Sequence, residues 1–172
     1  MTCPPHTQRG MTLLEILVVL VITASLTTLV ILSFSQRSDD QLQEDAQRFA
    51  ALVEQHCQDA FLLGQIRAIS VNDRGYQFWY RAKQQWFAAA NNTRLYRPRE
   101  WSADWDLELR INGLAESLNR ELNPAKQQPQ LICMADGQLP LFDLHISSQA
   151  RKISGLRLIS AGDKRINTEQ SL

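Results

Sequence analysis

The feature that most constrains this chain is a hydrophobic run that begins directly after a short polar segment. From Ile16 to Phe34 every residue is apolar or carries a small hydroxyl group. As an α-helix this run would be roughly 28 Å long, close to the hydrocarbon thickness of a bilayer. The next ionisable residue after the run is Arg37. The pattern therefore predicts a single membrane-spanning helix near the N-terminus.

One carboxylate, that of Glu15, lies at the edge of the run, five residues after Gly10. A carboxylate in this position costs on the order of 1–3 kcal/mol, so it predicts a function and a charged partner. If the chain is cut after Gly10, the new α-amine of Met11 lies about one helical turn from Glu15. Between neighbouring helices staggered by about one turn, the amine of one subunit would meet the carboxylate of the next. Such a pair would neutralise both charges in lipid.

The segment Gly10–Glu15, followed by an uninterrupted apolar run, resembles the N-terminal signature of type IV prepilins. That family includes the type IV pilins and the pseudopilins of type II secretion. The resemblance implies that a prepilin peptidase cuts between Gly10 and Met11, that the new amine of Met11 is methylated, and that Glu15 is the assembly contact. Met11 departs from the phenylalanine that is more common at that position. The resemblance also implies a cytoplasmic leader, one pass through the bacterial inner membrane and a periplasmic head.

Two other interpretations of the apolar run fit less well. A secretory signal peptide has an apolar stretch of about 7–15 residues before a small-residue cleavage site. Here the run continues past Ala24 and Ser25 to Phe34. An ordinary signal anchor fits the hydrophobicity but gives no reason for Glu15.

After the predicted span, residues 37–70 have the periodicity of an amphipathic helix. Ser38 and Gln41 are typical of a helix start, and we expect one helix, or two nearly collinear helices, from Met11 to about Ser70. The apolar face of this helix predicts a surface on which the globular head packs. A groove for a partner helix is the alternative. His56 lies beside this face, and we interpret it as structural. The apolar residues recur at spacings of three and four: Leu42, Ala46, Phe49, Val53, Cys57, Ala60 and Phe61.

Residues 71–172 change from helical to alternating periodicity. A hairpin is predicted at Tyr76–Tyr80 and Gln85–Ala88, and a helical turn at Leu114–Leu118 inside a polar loop. The tail from Gly162 is polar, so we expect it to be frayed. One N-terminal helix followed by at least five strands indicates the α+β class. The further strand candidates are Trp105–Ile111, Gln130–Met134, Leu139–Ile146 and Ile153–Ile159.

Charge and composition argue against nucleic-acid binding. The chain of 172 residues has 18 basic and 18 acidic residues, so its formal net charge is zero, whereas nucleic-acid-binding domains usually carry a basic excess or stripe. The segment Arg94–Trp101 is locally basic and aromatic. It predicts either an interface, since such residues are enriched in hot spots, or a packed loop with its arginines at the surface.

The two cysteines that follow the predicted span are Cys57 and Cys133. An oxidising compartment would permit a disulfide between them. Two buried, unlinked thiols are the alternative, and it is the one that we favour. Their spacing does not match that of a metal site, and we expect neither a metal nor a cofactor.

No motif for catalysis is present in the sequence. Asp143, His145 and Ser147 alternate along one predicted strand face. Catalytic triads are assembled from separate chain segments rather than from one strand. We therefore expect a protein that is not an enzyme.

A second resemblance concerns the head. The segments Gly75–Phe78 and Leu131–Leu144 are similar to those of minor pseudopilin H of the type II secretion system, although Ala135 stands where a proline is frequent. The resemblance implies an extended helix carrying two antiparallel sheets. It also implies a structural subunit of the short periplasmic pseudopilus that drives export of folded proteins across the outer membrane. The implied partners are other minor and major pseudopilins, the prepilin peptidase and the inner-membrane secretion platform. A minor type IV pilin of a motility or DNA-uptake pilus is the alternative.

Overall fold

The computed structural model describes residues 13–89, 94–118, 129–148, 153–162 and 165–171, without the side chains of residues 27–38, 94, 153, 154 and 171. The chain divides into two compact units, Met1–Arg37 and Ser38–Leu172.

A single helix, α1, spans Leu13–Leu63. Ser38 lies inside this helix, so its predicted role as an N-cap is wrong. The helix ends before Gly64, which has a φ of 59°. The Gly64 amide donates to the Phe61 carbonyl (3.2 Å), and the Gln65 amide donates to the Ala60 carbonyl (3.0 Å). These bonds form a Schellman motif, which satisfies the last carbonyls and stops the helix seven residues before the predicted end at Ser70.

The chain after this cap forms a strand, so the predicted continuation of the helix to Ser70 is wrong. Strand β1 spans Arg67–Val71 and is buried along its whole length. It lies inside the first sheet, where Ile69 pairs with Phe78 on one side and with Leu131 on the other. A short strand buried on both faces has no alternation in its sequence, which is why its periodicity did not reveal it.

The first antiparallel sheet contains β1 and four further strands: β2 (Gly75–Ala82), β3 (Gln85–Ala88), β4 (Arg99–Glu100) and β7 (Leu131–Cys133). Its strand order is β3-β2-β1-β7, with β4 also paired to β2. The predicted hairpin is confirmed as β2 and β3, in which Trp79 pairs with Ala88. A short 3-10 helix, Arg94–Tyr96, precedes β4.

The second antiparallel sheet contains five strands: β5 (Asp106–Ile111), β6 (Leu114–Glu116), β8 (Phe142–Ser148), β9 (Ile153–Ser160) and β10 (Ile166–Ser171). Its strand order is β10-β9-β8-β5-β6. Two of its strands correct the sequence predictions. Leu114–Glu116 is a strand rather than a helical turn, because Asn112 and Gly113, both at positive φ, make a two-residue hairpin turn. The tail is not frayed, since Ile166–Ser171 pairs with β9.

The core of the unit Ser38–Leu172 lies between the apolar face of α1 and both sheets. Phe49 contacts Tyr76 of the first sheet (ring centroids 4.9 Å apart) and Phe142 of the second (6.5 Å). The predicted α+β fold, with two antiparallel sheets seated on a helix, is confirmed. Of the predicted apolar stripe, Phe61 is the exception, since it is exposed.

The segment from Arg94 to Trp101 packs into this core. Tyr96 and Trp101 are buried, as is Trp105, whereas Leu95 and Arg97 are exposed. The packed-loop alternative therefore describes the aromatic residues of this segment.

Candidate functional site

The N-terminal unit places Glu15 in the first turn of α1. Every side chain described from Leu13 to Leu26 is exposed, so this stretch presents an apolar surface with one acid at its start. Gly10 and Met11 lie outside the described residues. Cleavage between them, methylation of Met11 and its pairing with Glu15 therefore stay predictions.

The hydroxyl groups within this apolar stretch bond to the helix itself. Thr23 Oγ1 donates to the carbonyls of Val19 (2.9 Å) and Leu20 (3.0 Å), and Ser25 Oγ donates to that of Val21 (2.8 Å). A hydroxyl satisfied in this way needs no water. The two polar residues are therefore compatible with an apolar surrounding.

No helix is long and apolar enough, over the part of the chain that the structure describes, to cross a membrane. The predicted span, residues 11–36, includes residues 27–36, whose side chains lie outside that part.

In the unit Ser38–Leu172, a buried carboxylate fastens the chain around Trp101 to the helix. Asp45 is only 3% exposed. Its Oδ2 accepts from the Ser102 amide (2.8 Å), the Ser102 hydroxyl (2.7 Å) and Trp105 Nε1 (2.9 Å). Sequence reasoning missed Asp45. The available signal was an acid on the apolar side of the helix, between Leu42 and Phe49.

We expect Asp45→Ala to lower the free energy of unfolding by about 3–5 kcal/mol, because three donors lose their shared, charged acceptor. Urea unfolding of the full chain in detergent measures this loss. The matched control is Glu44→Ala, which removes an exposed acid paired with Arg48 and should cost no more than about 1 kcal/mol. Equal losses in the two variants would contradict the role of Asp45.

A second buried polar residue, His56, connects the helix to the first sheet. Its Nε2 lies 3.0 Å from the Trp79 carbonyl oxygen, and its Nδ1 lies 3.3 Å from Arg67 Nη1. A carbonyl can only accept and a guanidinium can only donate, so the ring is neutral with its proton on Nε2. Burial, and then the nearby Arg67 charge, lower the pKa of His56 to about 4. The predicted structural role fits this geometry.

This lowered pKa predicts that stability depends on pH. Between pH 6.5 and pH 4 the unfolded state binds a proton that folded His56 does not, so stability is complete above pH 6.5 and is lost as the pH falls. The slope is about 1.4 kcal/mol per pH unit, or about 2 kcal/mol from pH 6.5 to pH 5. Urea unfolding at several pH values measures it. His56→Gln keeps a donor and an acceptor without titrating, and should remove this slope, whereas the control His145→Gln should retain it.

The two cysteines of this unit, Cys57 in α1 and Cys133 in β7, are joined by a disulfide. Their Cα atoms are 5.0 Å apart, and both side chains are buried. The structure contains the disulfide, so the interpretation as two unlinked thiols is wrong. The bond ties the helix to a three-residue strand that pairs only with β1 among the described strands.

The alternating acid, histidine and serine of β8 do not form a triad. Asp143 is hydrogen-bonded to Arg157 of β9 rather than to His145. Ser147 pairs in register with Asp106 of β5. Among the described residues, no three His, Cys, Asp or Glu side chains are grouped so that they could hold a metal ion.

Comparisons with known proteins find similarity both in the N-terminal motif and over most of the chain. The family model described as the prokaryotic N-terminal methylation motif matches residues 5–31. Type II secretion system protein H of Pseudomonas aeruginosa is 30% identical over 162 residues, covering 90% of this chain and 91% of that protein. The protein of the same name from Aeromonas hydrophila is 26% identical over 166 residues, covering 92% of this chain and 91% of that protein.

Two solved structures have a similar fold. The solution structure of Escherichia coli GspH superposes with a TM-score of 0.61 at 21% identity, covering 78% of this chain and 91% of that chain. The crystal structure of the minor pseudopilin EpsH from the type II secretion system of Vibrio cholerae superposes with a TM-score of 0.59 at 16% identity, covering 78% and 95%.

Proposed function

The chain belongs to the family of type II secretion system protein H, and from this premise we propose that its N-terminal segment builds it into a filament while its head selects its neighbours. It is a minor pseudopilin, a structural subunit of the pseudopilus of type II secretion, rather than a minor type IV pilin. The observation that carries this conclusion is the 30% identity to a named relative over 91% of that relative's length. The likeness therefore includes the head as well as the N-terminal motif.

The proposed division of the chain follows the chemistry of its segments. Residues 1–10 are a cleaved leader, residues 11–36 span the inner membrane, and residues 37–172 lie in the periplasm. The methylation motif over residues 5–31 supports the first two assignments. The disulfide supports the third, because such bonds persist in oxidising compartments such as the periplasm.

Glu15 is the proposed assembly contact. A pseudopilin interacts with other pseudopilins, and an acid at the start of an apolar helix can pair with the methylated amine of a neighbour's Met11. This pairing neutralises two charges that would be costly to leave alone in lipid. The prepilin peptidase, which processes the chain, and the inner-membrane secretion platform are the further proposed partners.

The head acts by contact rather than by catalysis. Its family is one of structural subunits, and in β8 the Asp143 carboxylate is hydrogen-bonded to Arg157 of β9 instead of to His145. We therefore infer that no substrate is turned over.

Deletion of the protein tests the function, with exoprotein release, twitching and transformation as readouts. We expect release to be lost and then restored by the full chain. Loss of twitching or transformation with release intact would favour the pilus alternative instead.

Mass spectrometry of the mature protein should find an N-methylated Met11 at its N-terminus. A chain that begins at Met1, or after Ser25, would contradict the proposed processing.

A further inference from the structure

The last turn of α1 presents three consecutive large apolar side chains to solvent. Phe61, Leu62 and Leu63 are 61%, 66% and 62% exposed. Successive helix residues point about 100° apart, so these side chains cover more than half of the helix circumference. They cannot all face the protein's own core. Scattered apolar residues are normal on a surface, but a contiguous apolar patch marks an interaction site.

A groove of about 330 Å³ opens beside this turn, and we call it the helix-end groove. Phe61, Leu62 and Leu139 line it together with the turn at Gly137. Gly137 has a φ of 80°, and a Cβ there would lie 2.9 Å from the Phe61 Cβ. Glycine thus allows the turn to approach Phe61 closely. The Gly137 amide donates to the Met134 carbonyl (3.0 Å), so this wall of the groove is held by a backbone hydrogen bond.

The charged residues that line the helix-end groove, Glu54 and Asp136, are both acidic. Glu54 Oε1 accepts from the Ile166 amide (2.7 Å), and Asp136 Oδ1 accepts from the Gln138 amide (3.0 Å). Neither carboxylate forms a salt bridge within the described part of the chain. The last turn of α1 also has no basic residue to offset the partial negative charge of the helix C-terminus.

An apolar groove with an acidic rim is complementary to an apolar side chain beside a positive charge. We propose that the helix-end groove receives an apolar side chain flanked by a lysine or arginine from the head of another pseudopilin. This inference rests on the proposed function, because it names the surface through which one head contacts the next. The same two carboxylates repel the anionic headgroups of a lipid surface. They also make the helix-end groove selective for a partner segment that carries a basic residue over one that does not.

Photocrosslinking in intact, secreting cells tests the proposal on the full chain. A photoreactive residue at Leu62 should capture another pseudopilin, with a lysine or arginine beside the captured position. The matched control is the same probe at Leu114, which is 73% exposed on β6. We expect about tenfold more captured pseudopilin at Leu62 than at Leu114, as for a hot-spot contact. Mass spectrometry identifies both the captured protein and the captured position.

Two substitutions separate the apolar contribution from the charged one. Leu62→Asp should lower co-purification of the captured pseudopilin by about tenfold, whereas Leu114→Asp should leave it unchanged. Asp136→Asn keeps an oxygen for the Gln138 amide but removes the charge. It should weaken the association and reduce its dependence on salt. Thermal unfolding checks that all three variants fold.

The outcomes distinguish this inference from the function on which it rests. Capture at Leu62 of lipid, of a second copy of this chain, or of no pseudopilin would overturn the helix-end groove as the proposed contact. The same holds if secretion requires the protein but Leu62→Asp and Leu114→Asp co-purify equally well. Normal secretion after deletion of the protein would instead overturn the proposed function.

Discussion

Replacing Glu15 by alanine should leave processing after Gly10 intact but lower incorporation into pseudopili by about a hundredfold or more. In the proposed filament the neighbour's Met11 amine would then have no counter-charge in lipid. Removing one partner of a buried charge pair typically costs about 3–5 kcal/mol, and each 1.4 kcal/mol is a factor of about ten. The measurements are the mass of the mature N-terminus, crosslinking to other pseudopilins and exoprotein release.

Glu44→Ala is the matched control for Glu15→Ala, because it removes an exposed glutamate from the same helix. It should assemble and secrete normally. Glu15→Asp keeps the charge on a shorter side chain, so it should assemble better than Glu15→Ala. If Glu15→Ala built functional filaments, charge pairing would not be the assembly contact of this subunit. Failure of Glu15→Ala to be cleaved would instead place the carboxylate in processing.

Loss of the disulfide should strongly lower the stability of the unit Ser38–Leu172. Cys57 and Cys133 are 76 residues apart in sequence. Closing a loop of that length is expected to stabilise the fold by about 4 kcal/mol, mainly by restricting the unfolded chain. We therefore expect the double variant Cys57→Ala/Cys133→Ala to unfold at a temperature roughly 10–20 °C lower. Thermal unfolding of the full chain in detergent, with and without reductant, measures this difference.

The response to reductant separates the disulfide from simple packing. Reductant should lower the melting temperature of the natural protein toward that of the double variant, and should have no effect on the variant itself. The single variant Cys3→Ala, in the predicted leader, should behave like the natural protein. Two thiols that react with an alkylating reagent in the unfolded protein, without prior reduction, would show that the bond is absent.

The disulfide also explains how so short a strand keeps its place. Strand β7 has three residues and pairs only with β1 among the described strands. Three residues of antiparallel pairing are marginal by themselves. The bond from Cys133 to the helix fixes the strand against the core. Reduction should therefore loosen β7 before the rest of the head, and hydrogen exchange at Leu131 would detect it.

The parts of the fold that the sequence predicted are those with local signals. The apolar stripe of α1 is visible at a spacing of three and four residues, and six of its seven predicted members are buried. The hairpin of β2 and β3 has alternating aromatic residues joined by a polar turn. In each case neighbours along the chain carry the pattern.

The errors fall where partners distant in sequence decide the structure. The strand Arg67–Val71 has no alternation, because all five of its residues are buried and neither face is exposed. The polar tail Ile166–Ser171 is ordered by its pairing with β9 rather than by its own composition. The hairpin turn at Asn112 and Gly113 is the exception, since the Asn-Gly dipeptide is itself a local turn signal.

The sequence by itself determined the motif around Glu15, the long helix with its apolar face, and the membership of the α+β class. Each depends on the spacing of residues that are neighbours along the chain. Only the tertiary structure decided that Asp45 holds Ser102 and Trp105 and that Cys57 meets Cys133. It also decided that Phe61 belongs to a surface groove rather than to the core. These three outcomes require contacts between segments far apart in the chain, and no local periodicity encodes which distant segments will meet.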